Sequence, residues 1–299
     1  MSNTDANSGW FESVPPDNLE AARKAIEKGS AESPKDWPKK AVEAGFVEDK
    51  EKYYDKLHEA ANYAAREAVK ERERADDQQL KHSIRAMDDA ERVANELAER
   101  AVEWAGSLFD DVGSGVDGAR AIAAREPESE VEHRAVSLAE RAAELDDERA
   151  ELADTIGRIA PAVAPNLAEM AGPELAARLI ALAGGLESLA KKPSGTVQVL
   201  GAEDALFAHL SGRAPSPKHG IIYTHEFVRG TRPEDRGSAA RALAGKLTLA
   251  ARADHYAGER RARLHDDLRE RMATIRARAD DEGAGDGEGA ATDGGSADE

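Results

Sequence analysis

Between residues 80 and 108 the apolar positions recur as Leu80, Ile84, Met87, Ala90, Ala94, Leu97, Ala101, Trp104 and Leu108. Gaps of three and four keep these side chains on one helix face. Gly113, Gly115 and Gly118 interrupt the pattern, and a second heptad-spaced seam follows. It reads Val131, Ala135, Leu138, Ala142, Leu145, Arg149, Leu152, Ile156 and Ile159. Two such stretches joined by a glycine-containing connector predict an antiparallel helical hairpin. A monomeric hairpin and a dimerising coiled coil both satisfy this spacing.

The flanking segments also read as helical. Asp17 or Asn18 can cap a helix ending near Lys28, with Gly29 as its stop. The stretch Gly9–Val14 reads as a short strand or an apolar anchor, and Ser33–Pro38 as a turn into a second short helix ending near Gly45. Trp10, Phe11, Trp37 and Phe46 fall within fifty residues and predict the core of a small N-terminal unit. From about Asp49 a long helical pattern leads into the first seam. Pro161 and Pro165 predict the end of the second seam. Pro173 then opens a helix through Leu189 whose interior Gly184-Gly185 allows a bend or close packing. Thr196–Leu200 reads as helix rather than strand, with Ser194 or Thr196 as cap, and Ala202–Leu210 follows. Residues 212–236, with three prolines and little periodicity, read as loop, and 238–255 as helix. The Ala/Glu/Arg pattern continues to about Asp280. Residues 280–299 are acidic and Gly-rich, and too apolar-poor to fold.

Composition agrees with long helices, since only 4% of the 299 residues are aromatic and 33% are charged. There is no cysteine, which excludes disulfides and thiolate metal sites. Neither an apolar run of membrane-spanning length nor a signal peptide is visible, so a soluble, cytoplasmic protein without membrane contact is expected. The net charge is −18, and arginines outnumber lysines, 27 to 14. Such a surface fits a protein adapted to molar salt, as in halophilic archaea, where the Debye length shrinks to about 3 Å. Against this acidity, residues 208–256 carry eight Lys/Arg and only four acids. A basic island in an acidic chain is the footprint of a phosphate-binding face.

No nucleotide-binding, nucleophile-elbow or zinc-protease motif is present, and no converging titratable groups point to catalysis. His219 and His225 lie six apart but lack a third ligand in register, which favours a structural or RNA-contact role over a metal. The acid pairs Asp88-Asp89 and Asp146-Asp147, and the run His265-Asp266-Asp267, read as solvated helix surfaces. The loop Arg213–Gly220 is stiffened by prolines. In it Lys218 and His219 supply donors, while Tyr223 or His219 can stack on an unpaired base. The following helix adds Arg241, Lys246 and Arg252. The candidate RNA-facing set is therefore Arg213, Lys218, His219, Arg229, Arg236, Arg241 and Lys246. A coiled-coil structural adaptor without RNA contact is the alternative.

A series of motifs falls in order over about ninety residues: Pro165-Asn166-Leu167, Ala176–Ile180, Ala183–Leu186, Gln198–Glu203, Ala205–Phe207, Pro217–Gly220 and Arg236-Gly237. On these the chain resembles the Nop-domain scaffold proteins of archaeal box C/D guide-RNA particles. Leu80, Asp88-Asp89, Asn95, Leu97, Glu99-Arg100, Glu103-Trp104 and Phe109 extend the resemblance upstream, so that it covers roughly residues 50 to 256. The resemblance implies a mainly α fold in five parts. These are a small N-terminal docking domain with a lead-in helix (1–75), a coiled-coil hairpin (76–162), a helical Nop domain (163–256), a C-terminal helix (257–279) and a disordered acidic tail (280–299). It implies a non-catalytic role with no cofactor, homodimerisation through the coiled coil, and three partners: box C/D guide RNA, a kink-turn-binding protein and the methyltransferase fibrillarin. It places Gly201, Ala202 and Glu203 on the surface that meets RNA or the kink-turn-binding protein. The assembled particle would 2′-O-methylate ribosomal or transfer RNA. The sequence departs from the family at Asp204, Ala208 and Ser238, where basic residues are common, and in its acidic rather than Lys-rich tail. Fewer than eighty residues precede the coiled coil, where the family has a larger α/β domain.

Overall fold

The computed structural model describes residues 9–12, 14–29, 33 and 35–285, and among these the regular structure is entirely helical. The chain forms two units, residues 1–75 and 76–299.

The first unit holds α1 (Leu19–Lys28), α2 (Trp37–Glu43) and α3 (Lys50–Glu73). Each starts at a side-chain cap: Asn18 accepts from the Ala21 amide, Asp36 from Lys39 and Asp49 from Lys52. The predicted aromatic core is present, with Phe11 and Tyr53 buried and Trp10, Trp37 and Phe46 packed around them. Tyr53, which periodicity alone did not single out, also accepts a hydrogen bond from the Trp10 indole at 3.2 Å. Residues 9–12 form a turn instead of a strand, closed by Glu12 N–H on the Gly9 carbonyl. That turn drives Phe11 inward, so the anchor reading holds.

In the second unit α4 (Asp76–Ala105) and α6 (Glu130–Val163) form the hairpin. They are antiparallel: Leu80 and Ile84 share a cluster with Ile156 and Ala160, whereas Ala98, Ala101 and Ala105 share another with Val136, Ala139 and Ala142. The long pattern from Asp49 is broken at Arg74-Ala75, where α3 ends and α4 begins. Three further expectations need correction. The connector is itself a helix, α5 (Gly115–Ala123), which packs Ala119 and Ile122 between the hairpin arms. It docks because Gly113 and Gly118 touch; a Cβ on Gly118 would lie 2.6 Å from the Gly113 carbonyl carbon. The seam of α4 slips by one residue toward its end, burying Ala98 and Ala105 and leaving Trp104 37% exposed. A straight helix of 3.6 residues per turn drifts off a seven-residue repeat in this way, and α5 fills the space. Finally, α6 runs through Pro161, which sits in its last turn with its ring exposed, and stops only before Pro165.

Beyond the hairpin come α7 (Pro165–Ala171), α8 (Pro173–Ala183), α9 (Leu186–Lys191), α10 (Ser194–Val199) and α11 (Glu203–Leu210). A 3-10 turn (Ile221–Thr224), α12 (Glu226–Arg229), α13 (Arg236–Tyr256) and α14 (Arg263–Gly285) complete the order. Gly184 and Gly185 end a helix rather than bend one. Both have positive φ, and their N–H groups return to Ala181 and Ile180 in a glycine stop. No side chain of Ser194 or Thr196 caps α10; Pro193 occupies the cap position. The region read as loop contains the 3-10 turn and α12, both too short to show periodicity. The last helix passes Asp280 and reaches Gly285; the rest of the expected acidic tail, 286–299, lies outside the described residues.

A single apolar cluster unites Leu80, Ile84 and Ile156 of the hairpin base with Leu179, Ile180, Leu189, Ile222, Leu243 and Leu247. Leu268 and Met272 of α14 belong to it as well. Residue 162 therefore marks no break in packing. Helix α13 is the axis of this core, burying Ala239, Ala240, Leu243, Ala244, Leu247, Ala250 and Ala251. The acid pairs also serve this framework. Asp88 holds Arg178 of α8 at 2.7 Å, Asp146 and Asp147 hold Arg120 of α5 at 2.8 and 2.6 Å, and Asp267 holds Lys246 of α13 at 2.7 Å. They are inter-helix ties more than solvated surface. No described helix is long and apolar enough to cross a membrane.

Candidate nucleic-acid interface

The loop after α11 is pinned to the α10–α11 turn by its own backbone. Gly220 N–H donates to the Gln198 carbonyl at 2.8 Å and Ile221 N–H to the Leu200 carbonyl at 2.7 Å. A Cβ on Gly220 would collide with the backbone at Val199, 2.7 Å away, so only glycine fits. The close approach that this glycine permits is therefore to the chain itself. Gln198 adds a bond from Nε2 to the Lys218 carbonyl at 2.7 Å. Sequence reasoning gave Gln198 no role of its own; its place in the motif Gln198–Glu203 was the available signal.

On this support His219 stacks on Tyr223, with ring centroids 4.6 Å apart and planes 21° from parallel. The Arg236 guanidinium lies over the Tyr223 ring at 5.3 Å, and its Nε donates to the Thr231 carbonyl. His219, Tyr223 and Arg236 thus pack together as one stacked cluster at the start of α13. Burial, and then the nearby Arg236 and Lys218 charges, push the His219 imidazole below its ordinary value, so it is neutral at pH 7. The Lys218 stem lies 3.9 Å from where a Cβ on Gly237 would sit, which places its ammonium beside the stack.

The other candidates distribute around this centre. Arg241 is exposed, one turn beyond Gly237. Arg213 is exposed and rests over Phe207 at 5.7 Å, a ring that is itself 64% exposed. Arg229 is exposed at the end of α12. Lys246 differs: it is half-buried and paired with Asp267, so its charge is neutralised within the fold and points to α14, not to the loop. His225 is structural. Its Nδ1 accepts from the Phe227 amide and its Nε2 donates to the Met170 carbonyl, each at 3.0 Å, which uses both ring nitrogens. Among the described residues no three His, Asp or Glu side chains come together as a metal site.

The Gly201–Glu203 turn borders the loop. Gly201 has φ +83°, and a Cβ there would press on Ile221 and Leu182 at 3.2 and 3.3 Å. Glu203 accepts from the Gly201 amide at 2.9 Å and holds the turn shut. Beside it an open cleft of about 250 Å³ is lined by Ile84, Arg178, Leu182, Gly201 and Ile221. Helix α11 buries none of its residues and presents Phe207 and Leu210 to solvent.

The family model described as "Nop: snoRNA binding domain, fibrillarin" matches residues 46–276, most of the chain. This protein belongs to the Nop family. Among relatives, an uncharacterized NOP5 family protein of Methanocaldococcus jannaschii is 48% identical over 141 residues, 47% of this chain and 34% of that protein. Nucleolar protein 56 of Saccharomyces cerevisiae is 42% identical over 122 residues, covering 41% of this chain and 24% of that one. The matched part thus spans about a third or less of these relatives' length. Among solved structures, a chain of a crystal structure of a fibrillarin/Nop5p complex aligns with a TM-score of 0.50 and 25% identity. That alignment covers 85% of this chain and 91% of that chain.

Proposed function

We propose that this Nop-family protein is a non-catalytic scaffold of a box C/D guide ribonucleoprotein, which binds guide RNA and positions fibrillarin for 2′-O-methylation of ribosomal or transfer RNA. The observation that carries this reading is the family match over residues 46–276, in a relative of Nop5p, a protein solved in complex with fibrillarin. The geometry supports it. An imidazole and a phenol packed with a guanidinium make a stacking platform with Lys218 beside it, and Arg241, Arg229 and Arg213 are further exposed cations of the same region of the chain. Stacking suits an unpaired base and the cations suit phosphates. The Gly201–Glu203 turn with exposed Phe207 and Leu210 is the surface for a kink-turn-binding protein. The exposed Trp104 and Val131 on the hairpin suit a homodimer contact, and the aromatic N-terminal unit is the docking element for fibrillarin.

The test is retention of a kink-turn RNA in molar KCl, with and without the kink-turn-binding protein. Retention only in the ternary mixture supports the composite surface. No retention in either mixture sinks the RNA assignment and leaves a coiled-coil adaptor.

A further inference from the structure

One face of α13 stays open to solvent along the whole helix. At 100° per residue, Ser238, Arg241, Gly245, Leu249, Arg252 and Tyr256 fall within about 80° of one another. From Arg241 to Tyr256 this stripe runs about 22 Å at roughly 1.5 Å per residue. In a chain of net charge −18, the helix carries a single carboxylate, Asp254, and it is turned inward and 8% exposed. The stripe on α13 itself is therefore basic, and the carboxylate beside its far end, Glu187, is paired with Lys191.

Two features at its far end extend it. Arg252 donates from Nε to the Ala190 carbonyl at 3.0 Å, which fixes the end of α9 beside α13. This places Lys191 and Lys192 along the stripe. Lys191 is held protonated first by Glu187, with which it pairs across one turn of α9. Tyr256 is 67% exposed, with the His255 ring set across it at 67°.

Gly245 is the independent clue. It lies mid-helix on this face with ordinary φ, and a Cβ there would meet nothing within 4 Å. The fold does not require glycine at this position, and glycine weakens a helix relative to alanine. What it offers is bare backbone where something must come close.

We propose that this face, from Arg241 past Gly245 to Lys191, Lys192 and Tyr256, is a second RNA-binding surface that takes a single-stranded segment. Its phosphates would track the cations, its backbone would pass over Gly245, and one base would stack on Tyr256. The inference rests on the RNA-scaffold reading and extends it to the end of α13 remote from the His219–Tyr223–Arg236 stack.

The experiment uses the full chain with the kink-turn-binding protein and a labelled kink-turn RNA bearing a single-stranded extension, titrated over a KCl series. Lys192→Gln should flatten the slope of log affinity against log salt by about 0.7, the value for one single-strand phosphate. Tyr256→Ala and Gly245→Leu should each weaken binding about tenfold, and only for the extended RNA. Gly245→Ala should raise the melting temperature, confirming that the fold prefers a side chain there. If the wild type binds and the first three variants bind the extended RNA equally well, this face takes no single-stranded RNA and this inference fails alone. If the wild type binds neither RNA, the scaffold reading fails with it.

Discussion

Asp254, near the end of α13, accepts from both nitrogens of Asn166 through one oxygen, the amide at 3.0 Å and Nδ2 at 2.6 Å. Its other oxygen takes the Leu167 amide at 2.9 Å. The carboxylate thereby caps α7 from eighty-eight residues away, supplying the negative end that a helix start favours. Removing it would leave buried donors unpaired. Asp254→Ala is expected to cost about 3 kcal/mol, and Asp254→Asn roughly half as much. Denaturant unfolding of the two variants measures the difference; equal losses would show that charge, not shape, matters there.

Acid should loosen the region around α12 through His225. Burial holds this imidazole below its ordinary 6.5, outweighing the Met170 carbonyl bond that favours protonation. A histidine with a depressed folded value contributes stability above 6.5 that is lost as pH falls through the lowered value. Protonation also breaks the bond that Nδ1 accepts from the Phe227 amide. The melting temperature should drop below pH 6.5, and His225→Asn should flatten that limb. His219 is depressed for the same first reason and adds to the fall.

Midway along α6, Arg120 of α5 joins Asp146 and Asp147, and Arg149 shares Asp146 at 2.9 Å. These pairs are partly exposed, so Arg120→Ala should cost only about 1 kcal/mol and less in molar salt. Its effect should be local: faster amide exchange in α5, with α4 and α6 near residue 84 unchanged. The Asp146 carboxyl is held below its usual range, first by Arg120 and then by Arg149. Its contribution is present above the ordinary 3.8 and disappears as pH falls through the lowered value.

Lys246 offers a direct separation of charge from position. Lys246→Ala removes the tie to Asp267 and should lower stability by about 1 kcal/mol, while RNA retention at matched salt stays within twofold. Lys218→Ala with Arg241→Ala should do the opposite, weakening retention and leaving the melting temperature in place. Equal effects of the two variants on RNA would return Lys246 to the RNA-facing group.

The helices were legible where an apolar face repeats over several turns, as in Leu80–Ala94 and Ala239–Leu247. Breaks were less so. Gly184-Gly185 reads the same in sequence whether it bends a helix or ends one; the returning bonds to Ile180 and Ala181 decide it. Pro161 reads as a stop, yet a last turn needs little from its missing N–H. Helix α5 hides behind Gly113 and Gly118, whose role is contact between segments, and Gly115, which supplies a positive φ. The basic island was visible as composition, but its sorting was not. That Arg236 lies over Tyr223 while Lys246 turns to Asp267 depends on rotation about α13, which charge counting cannot register.

The packing of Leu80, Ile84 and Ile156 among Leu179 and Leu243 makes the hairpin a cantilever set into the same block that carries the basic loop. Its thirty-residue arm α4 is about 45 Å long at roughly 1.5 Å per residue. A tilt of about 5° at the root would carry the tip some 4 Å, a gearing set by the 1.5 Å rise. Small strains where α8 meets α4's base would thus be felt as whole side-chain displacements at the far end, and a load on the tip would be returned, demagnified, to the block that carries the loop.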